Sequence, residues 1–185
     1  MSVAKYIEYY TYEDYKNWEG DWELIEGVPV AMAPSPLGIH QYLNGRIFRI
    51  LDEELENCVN CVALIEEDWI ISSDTILRSD TLVVCKEDLF SNVKKTPHLI
   101  VEVVSKSTKL KDETIKKEIY EKEGVKTYIL IYPDILKARV FILENGEYKD
   151  LGMFVDEVFE TNIEECKIKI DFKKVFSRVK RLING

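Results

Sequence analysis

The sequence predicts an α/β fold: an α+β mixed sheet with flanking helices and an N-terminal β-hairpin. Three observations carry this. Apolar residues gather in separate runs of strand length, bounded by turn residues. Helical periodicity fills the intervals near residues 39–55, 109–123 and 172–182. The middle helix lies between two apolar strands, which calls for a parallel, right-handed crossover. A chain of 185 residues with 46% apolar content can bury one sizeable core, so residues 1–185 read as a single domain.

Taken in order, Thr11 and Asp14 have the spacing of a capping box and open a short helix ending near Trp18. Trp22 to Glu26 and Val28 to Ala33, split by Gly27, form the hairpin. A loop over Pro34-Ser-Pro-Leu-Gly38 leads into a long helix, with Ile39, Tyr42, Leu43, Ile47, Ile50, Leu51 and Leu55 at helical spacing. Strands are expected near 61–66, 69–72, 80–85 and 98–104. The second helix stops at Gly124, and Thr127 to Tyr132 reads as a strand buried on both faces. Ala138 to Leu143, the Asn145-Gly146 turn and Glu147-Tyr148 predict a last hairpin. Phe172, Val175, Phe176, Val179 and Leu182 form the apolar stripe of a C-terminal helix whose other face carries Lys173, Lys174, Arg178, Lys180 and Arg181.

The longest apolar stretches are of strand length and the N-terminus lacks a signal-peptide core, so no membrane partner is expected and the expected location is cytoplasmic. Four cysteines in a chain this long do not read as a disulfide framework, and reduced thiols are expected. Cys58 and Cys61 make a Cys-x-x-Cys pair, but with no second such pair in the sequence, zinc and redox chemistry are disfavoured. A net charge of −9 argues against coating nucleic acid by bulk electrostatics and leaves room for a local basic groove.

The chemistry concentrates on a carboxylate in an apolar strand. Glu102 stands among Ile100, Val101, Val103 and Val104, where an ionised group costs several kcal/mol unless something pairs with it. Asp80 opens a second apolar strand, and two carboxylates on two core strands are a common way to hold a hard divalent cation. On the second helix Asp112, Lys116 and Tyr120 stand four apart, beside a stripe defined by Ile115 and Ile119. Lys116 is therefore expected to point to the sheet and Lys117 away from it, to solvent; on spacing alone Asp112 and Lys116 make an ordinary ion pair. His40 opens the long helix, where helix-end hydrogen bonding, a neighbouring acid or phosphate are its candidate partners; His98 is read as structural.

Read together, Glu23, Ser35-Pro36, His40-Gln41, Asp80, Glu102, Asp112, Lys116, Tyr120, Gly124-Val125 and Tyr128 follow the order of one pattern. Over residues 10 to 150 the chain resembles the Uma-two family of restriction-endonuclease-like proteins, within the PD-(D/E)XK nuclease superfamily. The resemblance implies a restriction-endonuclease-like core, a metal-dependent endonuclease acting on DNA phosphodiester bonds, and Mg2+, or Mn2+, held by Asp80 and Glu102. The superfamily lysine usually lies two residues after the second acid; here that position is Val104, and the family moves the lysine to the helix, where Lys116 takes the role. Glu23 joins as a further acid, so Glu23, Asp80, Glu102 and Lys116 form the implied catalytic set, at a surface-accessible site. Ser79 replaces a common proline, Lys106 another, and Tyr132 a frequent aspartate; none removes an implied ligand. DNA is the implied partner and a homodimer is compatible with the sequence. Two rival readings are a catalytically inactive nuclease-fold protein that binds nucleic acid or acts as a scaffold, and a metal- or small-molecule-binding protein unrelated to DNA.

Overall fold

A computed structural model describes residues 8–32 and 37–184; Ser35 and Pro36 of the expected loop lie outside these residues. The chain forms α1 (Tyr12–Tyr15), β1 (Trp22–Ile25), β2 (Val28–Ala31), α2 (Gly38–Leu55), β3 (Cys61–Ile65), β4 (Asp68–Ile70), β5 (Ile76–Arg78), β6 (Thr81–Cys85) and β7 (Leu99–Val103). It continues through α3 (Lys109–Lys111), a π-helical turn (Asp112–Lys116), α4 (Lys117–Lys122), β8 (Thr127–Tyr132), β9 (Lys137–Glu144), β10 (Glu147–Phe154), β11 (Val158–Ile163), β12 (Cys166–Asp171) and α5 (Phe172–Asn184). Local chemistry explains several boundaries. The Asp14 carboxylate accepts the Thr11 amide at 2.8 Å and its hydroxyl at 2.9 Å, closing the start of α1. The β1–β2 turn places Glu26 and Gly27 at φ 49° and 77°, a conformation glycine adopts freely, and the Tyr9 ring packs where a Gly27 side chain would stand.

The central sheet has the order β10-β9-β8-β7-β6-β3. Within it β7 and β8 are parallel and the other pairs antiparallel, so the crossover from β7 to β8 is the expected parallel one. Alternation along the strands sorts the core into two layers. Leu99, Val101 and Val103 of β7 face α2, α5 and the β11–β12 hairpin. Ile100, with Leu82 and Val84 of β6, faces the other way, toward Tyr120 of α4 and toward Trp69 and Leu77 of a second sheet ordered β2-β1-β5-β4. The second layer houses the site.

Four expectations need correction. Strands β5, β11 and β12 are additional: β5 is three residues long, and β11 and β12 bury only alternate side chains, so neither makes a long apolar run. The cysteines are paired, Cys58 with Cys166 and Cys61 with Cys85, because β12 and β6 bring distant thiols to the Cys-x-x-Cys segment. The buried stripe of the crossover helix is not Ile115 and Ile119. An i→i+5 turn takes more residues per circuit than an α-helical one, and it leaves Ile115 45% exposed while Asp112, Lys116 and Tyr120 are buried. On α5, Phe172, Val175, Phe176 and Val179 are buried, but Leu182 is exposed.

Candidate active site

The antiparallel ladder pairs Thr81 with Val101, which sets Asp80 beside Glu102 at the start of β6 and the end of β7. Glu102 belongs to the alternating set that faces the second layer, and Asp80, just before β6, turns its carboxylate to the Val103 amide and to α2. The Asp80 amide approaches Glu102 Oε2 at 3.4 Å, and Asp80 Oδ2 accepts the Val103 amide at 2.6 Å. His40, in the first turn of α2, places Nε2 3.3 Å from Asp80 Oδ2. Of the candidate partners for His40, the neighbouring acid is the one it meets among the described residues.

Lys116 leaves the π turn toward the sheet and meets three acceptors: Glu23 Oε1 at 2.8 Å, Glu102 Oε1 at 2.9 Å and the Arg78 carbonyl at 2.8 Å. Tyr120, one turn on, donates to Glu102 Oε1 at 2.8 Å and stacks on Trp69. Glu23 also accepts the Arg78 amide at 3.1 Å and an ion pair from Lys111. Asp112, buried in the same π turn, completes the acidic set, and its carbonyl accepts the Tyr128 hydroxyl at 2.9 Å. Lys117 does point away from the site, but it sits over the Phe141 ring at 5.0 Å and is not free in solvent.

The cluster is deeply enclosed. Glu23 is 0% exposed, Lys116 and Asp112 2%, and Glu102 3%, so the expectation of an accessible site holds only for its rim. Burial pushes the Glu102 carboxyl up to about 8; the Lys116 charge opposes this, while Asp112 and Asp80 add to it. Burial likewise raises Asp112. It would raise Glu23 too, but Lys116 and Lys111 prevail and hold Glu23 below the usual range. Lys116 is raised well above an ordinary lysine, because Glu102, Glu23 and Asp112 overcome its burial. Burial disfavours charge on His40, yet contact with Asp80 raises its proton affinity. The result is a buried knot in which four acids, Glu23, Asp80, Glu102 and Asp112, share two lysines and His40 under a partly open rim.

Sequence reading anticipated Glu23, Asp80, Glu102 and Lys116, and the structure brings them together. It assigned no part to Lys111, whose contact with Glu23 spans 88 residues of sequence and has no local signal. Arg78 is a further member to which the sequence pattern gives no part. Its main chain belongs to the cluster, while its side chain pairs with Asp68 at 2.7 Å and Asp21 at 2.8 Å.

A mixed sheet carrying two carboxylates at adjacent strand ends, with a lysine delivered from the crossover helix, defines a protein of the restriction-endonuclease-like nuclease fold. The chain belongs to the Uma2 family, described as "Putative restriction endonuclease", whose profile matches residues 7–166. Among solved structures it is similar to "a putative nuclease belonging to DUF820" from Anabaena variabilis, with a TM-score of 0.71 at 17% identity, over 90% of this chain and 97% of that one. At that identity the likeness shows the shared fold. No curated protein matches the chain.

Proposed function

We propose that this protein is a metal-dependent endonuclease that hydrolyses DNA phosphodiester bonds, with Asp80 and Glu102 as ligands of Mg2+ or Mn2+. The observation that carries the reading is the placement of Asp80 and Glu102 beside each other at the start of β6 and the end of β7, with the Asp80 amide at Glu102 Oε2 and Lys116 at Oε1. Among the described residues no three His, Cys, Asp or Glu side chains form a ready-made cage. The donor set nonetheless fits the ion, because Mg2+ keeps several waters and is commonly held by one or two carboxylates plus substrate phosphate. When bound, the cation would neutralise charge developing on the phosphate and lower the pKa of a water.

The protein's own groups prepare that place. Lys116 and Tyr120 both donate to Glu102 Oε1, which fixes the carboxylate and leaves Oε2 directed toward Asp80. The Val103 amide and His40 fix Asp80 in the same way. Glu23 anchors Lys116 from behind, and the ammonium supplies positive charge beneath the reacting phosphate.

One observation favours the rival of an inactive nuclease-fold protein that binds nucleic acid or serves as a scaffold: buried Glu23 and Glu102 are already paired with lysines. Calorimetric titration with Mg2+ and Mn2+, together with cleavage of single- and double-stranded DNA, separates the two. Metal binding with cutting supports the proposal; no metal binding and no cutting across a broad substrate panel supports the rival.

No described helix is long and apolar enough to cross a membrane. A DNA substrate agrees with cytoplasmic residence, where thiols are kept reduced, so counting free thiols in freshly isolated protein tests the disulfides and the location together. A homodimer would offer one site to each strand of a duplex, and sedimentation measures it.

A further inference from the structure

The two lysines at the site are not equivalent. An ammonium has three N–H donors, and those of Lys116 meet three acceptors, Glu23, Glu102 and the Arg78 carbonyl, beneath a surface that leaves its side chain 3% exposed. Lys116 has no donor left for a substrate oxygen and no route to one that does not break a buried ion pair. Lys111 differs on both counts. Its partner among the described residues is Glu23 Oε2, and its side chain is 17% exposed. Asp80 and His40, at 19% and 13%, are the other partly open members of the cluster. The segment leading to Lys111 is itself basic: Lys106 and Lys109 are exposed on the loop and first turn that follow β7. In a protein of net charge −9 this is a local positive path ending at the acids.

We infer that Lys111 is the catalytic lysine that touches the substrate, donating to a phosphate oxygen of the nucleic acid at the rim of the site, while Lys116 is a positioning residue that holds Glu102 and Glu23. The inference rests on the nuclease reading for its substrate class. It makes Glu23 a shared anchor: one oxygen holds the buried lysine and the other holds the rim lysine until phosphate arrives. A lysine making one phosphate contact releases about one counterion, so its removal has a signature that loss of packing does not share.

The test measures binding of a labelled oligonucleotide in Ca2+ across a salt series for wild type, Lys111→Ala, Lys111→Arg and Lys117→Ala, with cleavage in Mg2+ assayed in parallel. Lys111→Ala is expected to weaken binding about tenfold and to flatten the slope of log affinity against log salt by about 0.7 to 0.9. Lys111→Arg should restore both, and Lys117→Ala should change neither. Melting curves establish that each variant is folded. An unchanged salt slope in folded Lys111→Ala overturns the inference, as does wild-type protein that binds no DNA. If wild type binds with the Lys111-dependent slope but does not cut with any divalent metal, the phosphate contact stands and the endonuclease reading fails.

Discussion

At the scale of single residues, the site separates groups that are safe to alter from groups that hold the core. Asp80 is partly exposed, and asparagine in its place can still accept the Val103 amide, so Asp80→Asn should change stability by less than about 1 kcal/mol while abolishing cleavage and weakening Mg2+ binding. Thermal melts beside calorimetric titration would show the contrast. Lys116→Ala should behave otherwise. It removes the ion pair of buried Glu102 and leaves Glu23 to Lys111 alone, and a loss of about 3–5 kcal/mol in denaturant unfolding is expected along with loss of activity. Glu102 brings a pH dependence. Its folded pKa, about 8, lies above its ordinary value of 4.5, so the folded protein binds this proton more tightly than the unfolded chain does. The stability it contributes is complete below about pH 4.5 and is lost as pH climbs through 8. Glu102→Gln lacks this loss, so urea midpoints measured without metal at pH 5 and pH 8.5 should move in the variant's favour at the higher pH. A constant difference between the two proteins would rule the account out.

At the scale of elements, the crossover helix decides which side chains reach the sheet. In an unbroken α-helix, residues four apart drift by about 40° per step, and Asp112 and Lys116 would lie at the edge of a stripe led by isoleucines. The π turn over Asp112–Lys116 adds a residue to the circuit and turns that polar row inward with Tyr120. Thr114 is exposed within the turn, and deleting it should restore α-helical register downstream. A five-residue i→i+5 turn and a four-residue α-helical turn each close about one circuit, so Lys111 would keep its direction relative to Lys116 and Tyr120. The deletion variant is expected to keep both its helical circular dichroism and its metal-dependent cleavage, because the flanking side chains stay in phase. Loss of cleavage in a folded deletion variant would show that the site needs the π turn itself and not only the phase it sets.

At the scale of the whole molecule, the two disulfides tie the outer hairpin and an edge strand to the central sheet. Cys58–Cys166 spans 108 residues and Cys61–Cys85 spans 24, so loop-closure entropy makes the first the stronger constraint on the unfolded chain. Replacing Cys58 and Cys166 by serine should cost about 5 kcal/mol and replacing Cys61 and Cys85 about 3 kcal/mol, measured by non-reducing denaturation. Both bridges lie in or against the layer formed by α2, α5 and the β11–β12 hairpin, away from the layer that holds Glu102 and Lys116. Mild reduction should therefore lower the melting temperature before it alters cleavage by the folded protein.

The sequence by itself determined the strands that bury whole runs, Leu99–Val103 and Thr127–Tyr132, and the helix between them, because apolar periodicity is local and survives in any context. It also determined that Glu102 had to find a partner, since a carboxylate in an apolar strand has no other stable outcome. Which partners it found was decided by tertiary structure. Lys116 and Tyr120 reach it because a π turn breaks helical register, and Lys111 reaches Glu23 across a gap that sequence spacing does not encode. The pairing of Cys58 with Cys166 was hidden for the same reason: β11 and β12 bury only alternate side chains and acquire their meaning from the core they cover. Local pattern fixes where the chain can be strand or helix, whereas contacts between distant segments depend on the packing that forms only when the layers close.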